Sequence, residues 1–520
     1  MQFPQLSAND PPADVILLLE GTYPMVRGGV AGWLDQLIRG LPELSFAVIF
    51  LGSRPQDYQG LRYELADNVV HLECHYLVDG SVQRKANRRP PRGCPAAFAA
   101  SRRFHEHLKK DSATPDQALS EVTQLLGKRG GLSREDFLHS EAAWHEIVRH
   151  YEEDYTEPSF LHYFWSVRNM HAPLFVLAEI ANNLPPGRCL HAISTGYGGF
   201  LGALAHHRTG LPLLVTEHGI YTKERHIDLL EAEWIHTPQD RLSHGLSYDT
   251  GYLRHLWIRF FQSLGRMTYS AAARITTLYC GNQQRQIADG ADPARTEVIP
   301  NGIKIERFRP LREQTQANDR PIVVLLGRVT PIKDIKTFIR SMHHLLARVP
   351  EAEGWIVGPD DEDPAYAQEC RDLTEQLMLG ERLKFLGFQS TEKILAQAKL
   401  VVLTSISEAQ PLVVLEALAA GVPVITSDVG SCREMLLGDG SPAQAAGRIV
   451  PIASPERTAS AAAELLNSRD AWQAAREVGI ERVEQEYAEA LMLERYRTLY
   501  QGAAGEDVEH HSKETALWPE

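Results

Sequence analysis

The sequence predicts an α/β protein of two doubly wound domains with a hinge near residue 302, and three observations carry that prediction. Its 520 residues exceed what one hydrophobic core usually supports. Short apolar runs of strand length alternate with helical stretches in both halves, the pattern of parallel strands buried on both faces. Turns marked by glycine or proline follow several of these strands, where a parallel sheet presents its binding edge.

The elements follow in chain order. Val15 to Leu19 reads as the first strand and leads through Glu20-Gly-Thr-Tyr-Pro-Met-Val-Arg-Gly-Gly-Val-Ala-Gly-Trp33 into a helical pattern ending near Gly40. Phe46 to Leu51 is a second buried strand. From about residue 81 to 160 the sequence turns charged, helix-favouring and punctuated by proline, which predicts a helical insertion. The rhythm resumes with Cys189 to Ser194, a turn at Gly196, Gly198 and Gly199, a helix to about His207 and the strand Pro212 to Thr216. Arg274 to Leu278 and Thr296 to Pro300 close the first domain, residues 1–302. Asn301-Gly302 and the polar run Pro310 to Pro321 mark the hinge.

The second domain, 303–485, is expected to place strands at Ile322 to Gly327, Gly354 to Gly358, Leu383 to Leu386, Leu400 to Thr404 and Val424 to Ser427. Helices are expected from Ile335, over Ala365 to Leu377 and after Pro411. A C-terminal helix is expected over 486–503 and a polar tail over 504–520.

Composition narrows the function. With 43% hydrophobic and 23% charged residues the chain is ordinary for a globular protein, and its net charge of −14 argues against general affinity for nucleic acid or anionic lipid. An anionic ligand must then be met by local cations. The run Val15 to Leu19 is too short for a signal peptide or a span, so no direct membrane insertion and a cytoplasmic location are expected. The six cysteines form no Cys-x-x-Cys pair, and neither a disulfide framework nor a zinc site is suggested.

The strongest local signal is Ser405-Ile-Ser-Glu-Ala-Gln-Pro-Leu-Val-Val-Leu-Glu-Ala-Leu-Ala-Ala-Gly421. Pro411 suits the first helical position and Gly421 the end, which puts Glu408 in the loop before the helix and Glu416 inside it. The N–H groups of Leu412 and Val413 lie between the two acids, where a helix start attracts phosphate. Were all eight residues helical, the carboxylates would stand roughly 12 Å apart. A nucleotide sugar, with hydroxyls at both ends and a diphosphate in the middle, has that layout. Gly327-Arg-Val-Thr-Pro-Ile-Lys333 follows a strand in the same domain, and Arg328 with Lys333 can clamp the diphosphate.

Weaker signals lie elsewhere. Gly28-Gly29 at the first loop lets backbone approach a ligand, although turn chemistry explains it equally well. Gly196-Tyr-Gly-Gly-Phe-Leu-Gly202 nearly spells a dinucleotide fingerprint, but Leu201 stands where the third glycine belongs, so no NAD site is assigned. His218, in Thr216-Glu-His-Gly219, ends a strand at the ligand-facing edge, and Lys223 and Arg225 could meet an acceptor or solvate a helix start. Asp361-Glu-Asp363 reads as a solvent-facing acidic loop, and no metal is expected.

Together Gly28-Gly29, Thr216-Glu-His-Gly219, Ile299-Pro-Asn-Gly302, Gly327-Arg328 with Lys333, and Glu408 with Glu416 eight positions later form an ordered set that resembles retaining glycosyltransferases of family 4. The opening Glu20-to-Val30 segment, the insertion and Thr216-Glu-His-Gly-Ile-Tyr-Thr222 look like the cytosolic glycosyltransferases of Pel exopolysaccharide synthesis. The resemblance, which runs from about residue 14 to 500, implies a GT-B fold, two Rossmann-like domains facing a central cleft. It implies transfer of a hexosyl unit, with retention, from a UDP-sugar, UDP-glucose foremost, to a growing saccharide. Arg328 and Lys333 would hold the diphosphate, Glu416 the ribose and Glu408 the transferred sugar. Gly28, Gly29, Leu412 and Val413 would offer backbone to the donor, and His218 would contact the reacting centre. The implied partners are the donor, a saccharide acceptor and inner-membrane Pel components, with peripheral association through them. No cofactor beyond the donor substrate is implied. Two departures are Asp334, where many members have glycine, and Ala409-Gln410, where glycine often follows the first glutamate. The alternatives are a nucleotide-sugar epimerase on the same architecture and a non-catalytic UDP-sugar sensor or scaffold.

Overall fold

A computed structural model describes residues 3–7, 9–78, 91–109, 114–126, 131–154, 159–225, 252–438, 440 and 445–514. The chain divides into two compact units: one of Met1–Thr277, Gln283–Glu297 and Tyr496–Glu520, the other of Leu278–Asn282 and Val298–Arg495. The chain therefore passes between units around 278–298, a few residues ahead of the expected hinge, and its last helix is shared between them.

The first unit is built on a seven-stranded sheet of order β3-β2-β1-β4-β5-β6-β7. Its strands are β1 (Ala13–Glu20), β2 (Phe46–Gly52), β3 (Val69–Tyr76), β4 (Gly187–Ala192), β5 (Leu213–Glu217), β6 (Ala272–Thr277) and β7 (Thr296–Val298). Strands β1 to β6 pair in parallel, with Val15 opposite both Phe46 and Cys189. Central strands β1 and β2 are buried almost throughout, which is why they read as unbroken apolar runs. Strand β3 was not expected. It lies at the sheet edge, and His71, Glu73 and His75 interrupt its apolar pattern.

Between β3 and β4 the described residues form helices Pro95–Lys109, Pro115–Leu126, Arg134–His139, Glu141–Asp154 and Phe160–Asn182. The helical region thus continues past the expected end at 160. The part of the expected insertion over 81–90 lies outside the described residues.

The second unit carries a six-stranded parallel sheet of order β10-β9-β8-β11-β12-β13. Its strands are β8 (Ile322–Leu326), β9 (Glu353–Val357), β10 (Leu383–Gly387), β11 (Leu400–Leu403), β12 (Val424–Ser427) and β13 (Gly447–Val450). Successive side chains point to opposite faces: Val324, Val401 and Val424 join one core, Val323, Leu400 and Ile425 the other. Helices cover both faces, as a parallel sheet requires.

The C-terminal helix spans Glu489–Glu514. It runs past the expected end at 503 through part of what was expected to be a polar tail; residues 515–520 lie outside the described residues. Its Tyr496 and Tyr500 are buried in the first unit and hydrogen bond there, Tyr500 to His191 at 2.8 Å. No helix among the described residues is long and apolar enough to cross a membrane.

Candidate active site

In the second sheet, strand order reverses between β8 and β11, and the loops after these two neighbouring strands carry the predicted donor residues. Ligands bind outside the carboxyl ends of strands at such a point. Chain geometry ties the loops together: Ile406 N–H donates to the Ile332 carbonyl at 2.9 Å, and Thr404 Oγ1 donates to the carbonyls of Lys333 and Asp334, both at 2.9 Å. Lys333 folds back beside Gly327 and its Nζ lies 2.5 Å from Glu408 Oε1, with both side chains largely covered. The structure thus brings Lys333 and Glu408 together.

Arg328 is placed differently from the expected inward clamp. It is half exposed, and its Nη1 contacts Glu362 Oε2 at 2.5 Å and Oε1 at 2.8 Å. Glu362 belongs to the acidic loop expected to face solvent, where Asp363 caps the helix Pro364–Gln376 by accepting from Tyr366 N–H at 3.0 Å.

The helix after Pro411 spans Leu412–Ala419, so Leu412 and Val413 are its first two residues. Pro411 is the N-cap, with ψ 110, and not the expected first helical residue; its carbonyl accepts from Val414 at 3.0 Å. Only the second half of the Glu408-to-Glu416 interval is helical, so the helix rise does not set the separation of the two acids. Gly421, at φ 75, ends the helix as expected. Burial raises the Glu416 carboxyl to about 7, against the attraction of Arg307. The Glu408 loop is held from behind: a Cβ on Gly430 would lie 2.2 Å from the Glu408 carbonyl oxygen, and Ser431 N–H donates to the Ala409 carbonyl at 2.8 Å. Gln410, one of the noted departures, is buried and accepts from Asn301 N–H at 2.7 Å, which links this loop to the Pro-Asn-Gly segment.

In the first unit, Gly28 is the extended N-cap of the exposed start of helix Gly29–Gly40, with no side-chain cap. Trp33 of that helix packs edge-on to His218, with ring centroids 4.6 Å apart. Burial pushes the His218 imidazole down to about 4, so it is neutral at physiological pH. Beside it Glu217 is fully buried and accepts four hydrogen bonds: from Tyr269 Oη at 2.5 Å, Thr195 Oγ1 at 2.9 Å, Gln286 Nε2 at 3.0 Å and Tyr221 N–H at 3.2 Å. Burial still pushes its carboxyl above the usual range. At the end of β1, Glu20 accepts from Tyr221 Oη and Gly198 N–H, each at 3.2 Å, and burial raises its carboxyl too.

A family described as Domain of unknown function (DUF3492) matches residues 13–294, more than half of the chain. The chain belongs to that family. The description Glycosyl transferases group 1 matches residues 308–482 of this DUF3492 member, the stretch that holds Arg328, Lys333, Glu408 and Glu416. A D-inositol 3-phosphate glycosyltransferase of Nocardia farcinica is 31% identical to it over 183 residues, 32% of this chain and 41% of that protein. A GDP-mannose-dependent alpha-(1-6)-phosphatidylinositol monomannoside mannosyltransferase of Mycobacterium tuberculosis is 29% identical over 214 residues, 38% of this chain and 53% of that protein. The chain spans about half or less of the length of these curated relatives. Among solved structures, Anabaena HepE in complex with UDP aligns with a TM-score of 0.56 at 13% identity, over 94% of this chain and 99% of that one. Sucrose-phosphate synthase from Thermosynechococcus elongatus aligns at 0.54 and 17% identity, over 94% and 98%. At these identities the likeness shows the fold, GT-B.

Sequence reasoning passed over Glu217 and Glu20 of the DUF3492 member. Each lies within a segment quoted for the resemblance, and the available signal was a lone acid ending an otherwise apolar strand. The glycines of the near-fingerprint have packing roles instead: a Cβ on Gly196 would sit 2.3 Å from the Tyr221 ring and 2.7 Å from Glu20.

Proposed function

We propose that this protein is a hexosyltransferase of the PelF type, which moves a sugar with retention from a UDP-sugar, UDP-glucose as donor, to a growing exopolysaccharide. The observation that carries the proposal is the convergence of Lys333, Glu408 and the Leu412–Ala419 helix at the β8–β11 reversal. The two relatives, a D-inositol 3-phosphate glycosyltransferase and a GDP-mannose-dependent mannosyltransferase, support the class. Anabaena HepE, which shares the fold, forms a complex with UDP-glucose, and this supports the donor.

As the glycosidic bond breaks, negative charge grows on the departing diphosphate. Lys333 and the N–H groups of Leu412 and Val413 provide a positive environment fixed before the reaction, the condition under which electrostatic stabilisation is largest. Arg328 joins them by exchanging Glu362 for phosphate; an exposed pair of this kind is worth only about 0–1 kcal/mol, so little opposes the exchange. Glu408, anchored by Lys333, accepts from hydroxyls of the transferred sugar, and Glu416 accepts from the ribose. His218, neutral, hydrogen bonds near the reacting carbon. Charge neutralisation is assigned to these groups and not to a metal. Acceptor binding belongs to the first unit, and cytoplasmic action with docking onto inner-membrane partners completes the proposal.

Calorimetric titration with nucleoside diphosphates and their sugars tests it. UDP and UDP-glucose are expected to bind best, with UDP released once a saccharide is added. Binding without turnover on any acceptor would point to a sensor, and isomerised donor without free UDP to an epimerase.

A further inference from the structure

The first unit contains a cavity of about 710 Å³ that none of the donor residues touches. It opens past the carboxyl ends of β1 and β2, and the inserted helix Phe160–Asn182 forms one wall. This volume is within the range of small-ligand sites. Its described lining has an unusual charge balance: Arg54, Arg134, Arg168 and Arg225 stand against the single carboxyl of Glu20. Burial pushes that carboxyl up, and both its oxygens are already engaged, by Tyr221 Oη and by Gly198 N–H. In a chain whose net charge is −14, four guanidiniums on one cavity are a local exception.

Five aromatic side chains also line it, Tyr58, Trp165, Tyr197, Trp257 and Phe261. Trp165 is 51% exposed, and the Arg168 guanidinium lies 5.8 Å from its ring centroid and 5.2 Å from that of Phe164. Tyr58 lies on the wall formed by the loop after β2. Flat apolar rings suit the C–H faces of sugar rings, and guanidinium forks suit planar or tetrahedral oxyanions. A neutral sugar uses only the first of these features and a simple anion only the second.

We infer that this cavity receives the acceptor and selects an anionic saccharide, one whose sugars bear carboxylate or phosphate. The inference rests on the transferase function proposed above and adds the acceptor's class to it.

The test is titration of the full chain, at fixed ionic strength, with a galacturonic acid tetrasaccharide, its methyl ester, maltotetraose, its phosphorylated form and a chitosan tetrasaccharide. At least one anionic form is expected to bind about tenfold or more tighter than its neutral counterpart; whether acid or phosphate gains more identifies the group. Arg54→Gln and Trp165→Ala, both at exposed side chains, are expected to weaken that binding with unchanged thermal unfolding. Equal affinity for charged and neutral forms, preference for the chitosan tetrasaccharide, or full affinity in both variants overturns the inference. UDP-glucose is titrated into the same sample. If it binds while the saccharides are not discriminated, only the anionic acceptor fails; if it does not bind, the transferase function fails.

Discussion

Lys333 and Glu408, which follow neighbouring strands of the second sheet, form an ion pair with Nζ 2.5 Å from Oε1. Neither side chain is exposed by more than a fifth. Each therefore fixes the other's rotamer at the edge where a donor is proposed to bind. A cation held in this way needs no rearrangement as charge develops on a leaving diphosphate.

Lys333→Ala is therefore expected to lower turnover about a hundredfold, while stability falls by only about 1 kcal/mol because water still reaches the pair. UDP release and thermal melting measured on the same preparation check this. Wild-type turnover at an unchanged melting temperature would reject the clamp.

Glu416 gives a pH prediction. Burial places its folded pKa at about 7, above the ordinary value of 4.5. In the proposed assignment ribose hydroxyls donate to the ionised form, so UDP-glucose affinity is expected to rise with pH through about 7 and then level off; its diphosphate diester does not titrate there. In Glu416→Gln the affinity is weaker and this pH dependence disappears. Stability has the opposite sign: between 4.5 and 7 the folded state binds more protons than the unfolded state, so this group's contribution falls as pH rises. Relative to wild type, Glu416→Gln should gain stability across that interval. Parallel affinity profiles for the two proteins would refute the ribose assignment.

The parts of the fold legible in sequence are those whose residues are buried on both sides. Strands such as Val15 to Leu19 and Leu400 to Leu403 admit no polar residue, so their runs stand out. Half-buried β3 and the short β13, Gly447–Val450, carry too little apolar sequence to be told from loops. At the candidate site, spacing and helix signals suffice to find Lys333, Glu408 and the helix start. The Arg328–Glu362 pair was not legible, because an exposed arginine takes whichever acid the tertiary fold brings near. Nor was the Glu217 network, whose donors Thr195, Tyr269 and Gln286 are scattered along the chain and meet only through the sheet.

That network yields a stability prediction. Glu217→Ala leaves Thr195, Tyr269 and Gln286 without their shared acceptor in a region sealed from water. A loss of about 3 kcal/mol is expected, the range for breaking a buried polar network. Denaturant melts, followed by a probe in the first unit, measure it. A cost below about 1 kcal/mol would mean that the donors find other partners.

The C-terminal helix supplies another. Tyr500 Oη lies 2.8 Å from His191 Nδ1, while His191 Nε2 lies 2.8 Å from Thr216 Oγ1, and burial pushes the imidazole down to about 3. Tyr500→Phe removes one partner of a neutral buried ring and is expected to cost about 1–2 kcal/mol. Truncation after Arg495 removes Tyr496 as well, exposing the face of the first sheet that both rings cover. Limited proteolysis should then cut the first unit faster than the second. Equal rates would show that the helix does not stabilise the first unit.

Asp334 connects the backbone to the proposed phosphate site. It has left-handed geometry, φ 45 and ψ 54, immediately after Lys333, and its side chain accepts from Thr337 N–H at 3.3 Å to start the helix Ile335–Leu346. Glycine adopts such a left-handed conformation without strain, so the position noted as a departure is one that suits glycine. Aspartate tolerates it and adds a cap. Asp334→Ala loses both features and is expected to cost about 2 kcal/mol. Asp334→Gly gives up the cap but relieves the backbone, so its cost should be smaller, and Asp334→Asn should be nearly neutral. Melting curves order the three variants, and UDP-glucose titration should follow the same order because the strained turn positions Lys333. Equal losses for alanine and glycine would show that this position supplies the hydrogen bond to Thr337 and that backbone handedness contributes nothing.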